Sequence, residues 1–109
     1  MGAKITTPFR SAKFGARVLK SINTIHQSAT AGFICAWAIG LDSNSYISGF
    51  TDGSNPPTTI VQKQSGYAGG QAIALSFEVI KEDFFAVVFN NVTDSYLSWV
   101  PLENVWRLV

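Results

Sequence analysis

The sequence predicts an all-β fold, an antiparallel β-sandwich of jelly-roll type preceded by an extended basic arm. Three observations predict it. Ile73, Leu75, Phe77 and Val79 alternate with Ala74, Ser76 and Glu78, and a period of two marks a half-buried strand because successive side chains leave a pleated backbone on opposite sides. Lys81, Glu82 and Asp83 then break the pattern with charge, before a second apolar run from Phe84 to Phe89. Two strands joined so tightly run antiparallel, since a parallel return needs a crossover of a dozen or more residues. Finally, some seven short runs of β character are separated by turn signals, and no helix of three turns is evident.

The elements follow in order. Residues 1–20 hold Gly2, Pro8 and Gly15 and show no sustained period; they read as an extended arm, and residues 21–109 as the sandwich domain. Val18 to Ile25 alternates loosely, and small residues from Gln27 to Gly32 form a turn. Phe33 to Ile39 is a strand with Phe33, Cys35, Trp37 and Ile39 on one face and Ala36 and Ala38 on the other. The aromatic face is expected inside. The alanine face would let another sheet or subunit approach closely, which makes Ala36 and Ala38 the candidate subunit interface. Tyr46 to Phe50 is a short strand. Asp52-Gly53 and Pro56-Pro57 then interrupt it, because a turn dipeptide and two prolines bar continuation. Thr58 to Gln64 resumes β character, Ser65 to Gly70 is a glycine-rich loop, and the central hairpin follows at Ala72 to Phe89. Asn90 to Asp94 turns the chain into a last strand, Tyr96 to Leu102, with a helical turn expected near Glu103 to Arg107. The predicted core is Phe33, Trp37, Leu75, Phe77, Val79, Phe85 and Trp99.

A chain of 109 residues builds one core. Its residues are 47% hydrophobic and 13% aromatic, while only 14% are charged, against about 25% in an average soluble domain. That shortage of charge implies that part of the surface is covered by another subunit. The apolar stretch Ala31 to Leu41 is far shorter than the roughly 20 residues a membrane helix needs, so no membrane insertion is expected. No apolar segment follows the first basic residues, so a secretory signal is not expected.

The net charge of +1 hides an asymmetry. Residues 1–20 carry Lys4, Arg10, Lys13, Arg17 and Lys20 without an acid, whereas the remainder sets three bases against seven acids, a net of −4. The arm therefore reads as a docking strap for an acidic neighbouring subunit or another protein of the same particle. Phe9 and Phe14 would be its apolar anchors, and Arg10, Lys13 and Arg17 its charged contacts. Five charges without an Arg-rich or aromatic platform argue against nucleic acid as the partner.

Catalytic constellations do not emerge, and no enzyme activity, cofactor or metal is expected. His26 is the single histidine and sits beside a turn, as a surface or capping residue would. Cys35 lies among apolar residues and reads as a buried thiol. Asp42, Asp52, Asp83 and Asp94 sit in loops where aspartates commonly bond to nearby backbone. Trp37 and Trp99 read as core. Tyr46, Tyr67 and Tyr96 stand near strand ends or glycine-rich loops and are the candidates for a ligand surface that stacks sugars.

Three segments resemble a known family. Ala29 to Ala36 is similar to a strand that begins with a small residue, glycine, an aromatic and an aliphatic. Leu75 to Asp83 resembles a phenylalanine-x-valine-x-lysine-glycine-aspartate hairpin, with Glu82 where that pattern has glycine. Leu97 to Leu102 resembles a closing strand that ends in an aliphatic, proline and leucine. The family is that of the small trimeric β-sandwich head domains of bacteriophage fibres, spikes and head fibres, which are similar to the tumour-necrosis-factor and C1q sandwich. The resemblance implies a homotrimeric virion protein that acts in host attachment or in decorating and stabilising the particle. Other virion proteins, or a glycan of the host surface, would be its partners. A carbohydrate-binding module of a larger assembly is the alternative.

Overall fold

The computed structural model describes residues 8–108, with side chains from residue 13 to residue 103. Among these residues all regular structure is β. The nine strands are β1 (Pro8–Phe14), β2 (Val18–Leu19), β3 (His26–Gln27), β4 (Gly32–Gly40), β5 (Tyr46–Asp52), β6 (Ile60–Ser65), β7 (Ala72–Val79), β8 (Phe84–Asn90) and β9 (Val92–Leu108). One sheet has the order β1-β9-β4-β7, with β2 also paired to β9, and the other has the order β3-β8-β5-β6. Every pairing is antiparallel. The pairs β2–β9, β3–β8, β4–β7 and β5–β6 nest inside one another along the chain. The chain is thus one long folded-back ribbon wrapped into two sheets, the winding of a jelly roll.

The core lies between the sheets. Ile34, Ala36 and Ala38 from β4, Ile73, Leu75, Phe77 and Val79 from β7, and Leu97 and Trp99 from β9 face Ile47, Phe85, Val87 and Phe89 of the opposite sheet. Phe85 and Trp99 stack across the gap at 5.3 Å between ring centroids, 12° from parallel. Gly49 in β5 makes room for Phe77: a Cβ there would run into the ring.

Several expectations need correction. Leu75, Phe77, Val79, Phe85 and Trp99 are buried as predicted, but Phe33 and Trp37 are exposed. Strand β4 alternates with the opposite phase, so the alanines point inward. Ala36 is 3% and Ala38 0% exposed, which removes them as a surface for another subunit. The physical reason is space. Large side chains from β7, β8 and β9 already fill the gap between the sheets, and a second row of large residues from β4 would overpack it.

The run Ala72 to Phe89 is not a hairpin. β7 pairs with β4 and β8 with β5 and β3, so residues 80–83 form an arch from one sheet to the other. Asp83 N–H donates to the Ile80 carbonyl at 3.1 Å. Glu82, inside this turn, takes φ 71°, the left-handed region that favours glycine. The buried Ser28 holds the arch: its hydroxyl donates to the carbonyls of Ile80 at 2.9 Å and Asp83 at 3.1 Å. Backbone bonds between Ser28 and both Glu82 and Asp83 complete the tie.

The expected strand Val18 to Ile25 is reduced to Val18–Leu19, with His26–Gln27 following. Asn23 continues the edge beyond β3, donating its N–H to Val87 and accepting from Phe89 N–H through Oδ1 at 2.7 Å. Glu103 to Arg107 is strand rather than a helical turn, because β1 pairs along it from Phe14↔Leu102 to Pro8↔Leu108. β9 carries one extra residue between Tyr96 and Thr93 relative to β4, a bulge in which Asp94 takes φ 54°.

Candidate functional site: the outer face of the five-stranded sheet

Antiparallel sandwiches usually solvate the outward face of each sheet with polar side chains. In this protein one outward face is apolar. On β4 it presents Phe33, Cys35 and Trp37. The register places Phe33 between Glu78 and Val100, Cys35 between Ser76 and Ser98, and Trp37 between Ala74 and Tyr96. Trp37 is 39% and Tyr96 38% exposed. The short side chains of Ala74 and Ser76 beside Trp37 leave a shallow open depression of about 420 Å³.

A second depression of about 370 Å³ lies toward β1, lined by Phe14, Arg17, Phe33, Cys35 and Val100. Phe14 packs on Phe33 with ring centroids 5.7 Å apart, yet remains 60% exposed. Arg17 donates from Nη1 to Ser98 Oγ at 2.7 Å, and Ser98 is fully buried although it belongs to the outward row. The guanidinium thus caps the one hydroxyl that interrupts the apolar row of β9, and it keeps its charge at the surface.

The predicted strap residues therefore divide. Phe14 and Arg17 make their contacts within the chain's own sheet. Lys13 is exposed and lies opposite Glu103 in the ladder. The backbones of Phe9 and Arg10 belong to β1, and their side chains fall outside the described residues. The three tyrosines are not gathered. Tyr46 is half-buried in β5, with Lys63 Nζ 4.7 Å from its ring centroid. Tyr67 is exposed in the loop after β6, where its N–H donates to Gln71 Oε1 at 2.6 Å. Tyr96 alone of the three lines the depression beside Trp37. Cys35, expected to be buried, is half-buried at the middle of the outer face. Sequence reasoning missed Phe33 and Trp37 as surface residues because both faces of β4 are apolar, so periodicity alone does not orient the strand.

The remaining polar clusters hold loops. Asp52 accepts from the N–H groups of Ser54, Thr58 and Thr59 at 2.8, 2.9 and 2.9 Å, and from the Thr58 hydroxyl at 3.3 Å. Hydrogen bonds from Thr58 and then Ser54 hold its carboxyl well below the usual carboxylate range. Asp42 accepts from Asn44 N–H and Asn91 Nδ2 at 2.7 and 2.6 Å. His26 packs against Phe85 in a tilted arrangement with ring centroids 5.2 Å apart, and its Nε2 meets the Ser21 carbonyl at 2.9 Å. Among the described residues no three of His, Cys, Asp and Glu gather as metal ligands would. No protein-family model, curated protein or solved structure matches this chain.

Proposed function

We propose that this protein is a structural subunit of a bacteriophage virion, a homotrimer that serves at a fibre or spike head or as capsid decoration, acting in host attachment or particle stabilisation. One observation carries the reading: the outward face of the five-stranded sheet exposes Phe14, Phe33, Trp37 and Tyr96 where a solitary sandwich would carry polar residues. Contiguous apolar patches of this kind mark contact surfaces, and the low charge content points the same way. Support for the virion context comes from the resemblance of residues 29–36, 75–83 and 97–102 to phage head domains, and from the jelly-roll winding, which viral capsid and lectin domains share at the level of fold. The subunit contact passes from the alanines of β4 to the aromatic residues on its other side. Light scattering on the purified chain tests the assembly: three copies at micromolar concentration are expected, and a stable 11.8 kDa monomer overturns it. Imaging of the particle with this chain located in the density tests the context.

A second reading rests on the depression beside Trp37. An indole flanked by Ala74 and by the hydroxyls of Ser76 and Tyr96 offers a sugar both a stacking plane and hydrogen-bonding groups. A glycan that quenches the fluorescence of the wild-type protein, but not of Trp37→Phe, would favour a carbohydrate-binding module over a subunit contact.

A further inference from the structure

β9 continues past the sandwich. Its last ladder partner on β4 is Gly32, opposite Pro101, and Leu102 N–H donates to the Ala31 carbonyl at 2.7 Å. From Glu103 to Leu108 its one partner in the sheet among the described residues is β1. The two strands form a ribbon, and among the described residues no further strand pairs with either of its outer edges. A two-stranded ribbon is at best marginally stable in water, and open edges present unpaired N–H and C=O groups. The ribbon also lengthens the molecule to 68 × 29 × 18 Å, with a radius of gyration of 18.1 Å, against about 13 Å for a compact chain of this size.

We infer that this ribbon docks on the outer face of the five-stranded sheet of a second copy of the chain. The inference rests on the reading of that face as a subunit contact and names what covers it. Charge complementarity selects the occupant. The ribbon strands, residues 8–14 and 102–108, hold Arg10, Lys13 and Arg107 against Glu103, a net of +2. Residues 15–101 hold four bases against six acids, a net of −2. Between copies the ribbon therefore meets a body of opposite sign, and on the outward face itself Glu78 stands beside Phe33, with Arg17 at the margin toward β1 and bonded to Ser98. The dimensions match as well. Leu102 to Leu108 spans six residue steps, as does Leu102 back to Tyr96, so the ribbon's reach of about 20 Å equals the stretch of β9 that carries the outer face. A ring in which each ribbon lies on the next copy closes without leaving a ribbon or a face uncovered.

Cysteine cross-linking in the full-length chain tests this. In a Cys35→Ser background, Ala12→Cys marks the ribbon, in the alternation of Phe14, and Ala74→Cys marks the depression beside Trp37. Under mild oxidation the double variant is expected to give chain-to-chain disulfides, and a mixture of the two single variants, co-expressed, a disulfide between unlike chains. Reversing Arg10 and Lys13 to Glu should weaken assembly by on the order of tenfold at low salt and by less at 0.5 M, since salt screens exposed charges. An assembly that forms while the Ala12–Ala74 disulfide does not, or one in which Ala12→Cys alone cross-links to itself, overturns the ribbon contact and leaves the proposed trimer standing. A monomer at every concentration overturns both.

Discussion

The two faces of β4 make an instructive comparison. Inward lie Ile34, Ala36 and Ala38; outward lie Phe33, Cys35 and Trp37. Both rows are apolar, and the row with more hydrophobic bulk is the one left at the surface. Burial in a sandwich is decided by what the opposite sheet leaves room for, not by ranking the residues of one strand. With Phe85 stacked on Trp99 and Phe77 filling the space over Gly49, alanines fit and tryptophan does not. The outward row is then free for contacts beyond the chain, and the two rows should answer differently to substitution.

The largest expected effect is on the inward side. Trp99→Ala removes one half of the stack that joins the sheets and should cost about 3–5 kcal/mol, the range for deleting a buried aromatic, enough to unfold most of the population in a denaturant or thermal scan. Trp37→Ala should cost about 1 kcal/mol or less in the same scan, and show instead as loss of assembly in light scattering. Equal destabilisation by the two would erase the distinction between the faces.

Gly49→Ala comes next. Its Cβ would press into the buried Phe77 ring, and overpacking of this kind costs about 1–3 kcal/mol. Phe77→Leu in the same chain should restore part of the loss, since the smaller side chain vacates the contested space; a Gly49→Ala protein as stable as the parent would show that the gap between the sheets adjusts freely.

The smallest effect concerns acid. Asp52 has a depressed carboxyl pKa in the folded state, so its contribution is present above the ordinary carboxylate value of about 3.9 and is lost as pH falls toward its lowered folded value. Stability should be level in this respect from pH 5 to 8 and decline only below about 4, with the amides of Ser54, Thr58 and Thr59 losing hydrogen-exchange protection first. Asp52→Asn should remove that acid dependence; an unchanged profile would place it elsewhere.

Much of the fold was legible in the sequence. β7 was clear because small or polar residues, Ala72, Ala74, Ser76 and Glu78, alternate with large apolar ones, so its alternation has a phase as well as a period. β4 had the period without the phase. The charged turn at Lys81 to Asp83 was legible as a turn, but a turn does not say whether its two strands pair or part to different sheets; that depends on Ser28, more than fifty residues away, which ties the arch. Glu103 to Arg107 lacked a local signal because its strand conformation is imposed by pairing with Pro8 to Phe14, from the other end of the chain. The candidate site was hidden for the same reason as the phase of β4, although Tyr96 was singled out, as were Phe14 and Arg17 in the role of a docking strap.

The ribbon also has a mechanical consequence. Pro8 and Leu108 are partners in its ladder, so forces that draw the two strands apart load the hydrogen bonds one rung at a time, as a zipper opens. A force that pulls both strands together along their length is carried differently. It passes down β9 into its ladder with β4, from Pro101 to Val92, where many rungs share the load in shear. The same element is weak when pried and strong when towed, which suits a tether more than a hinge.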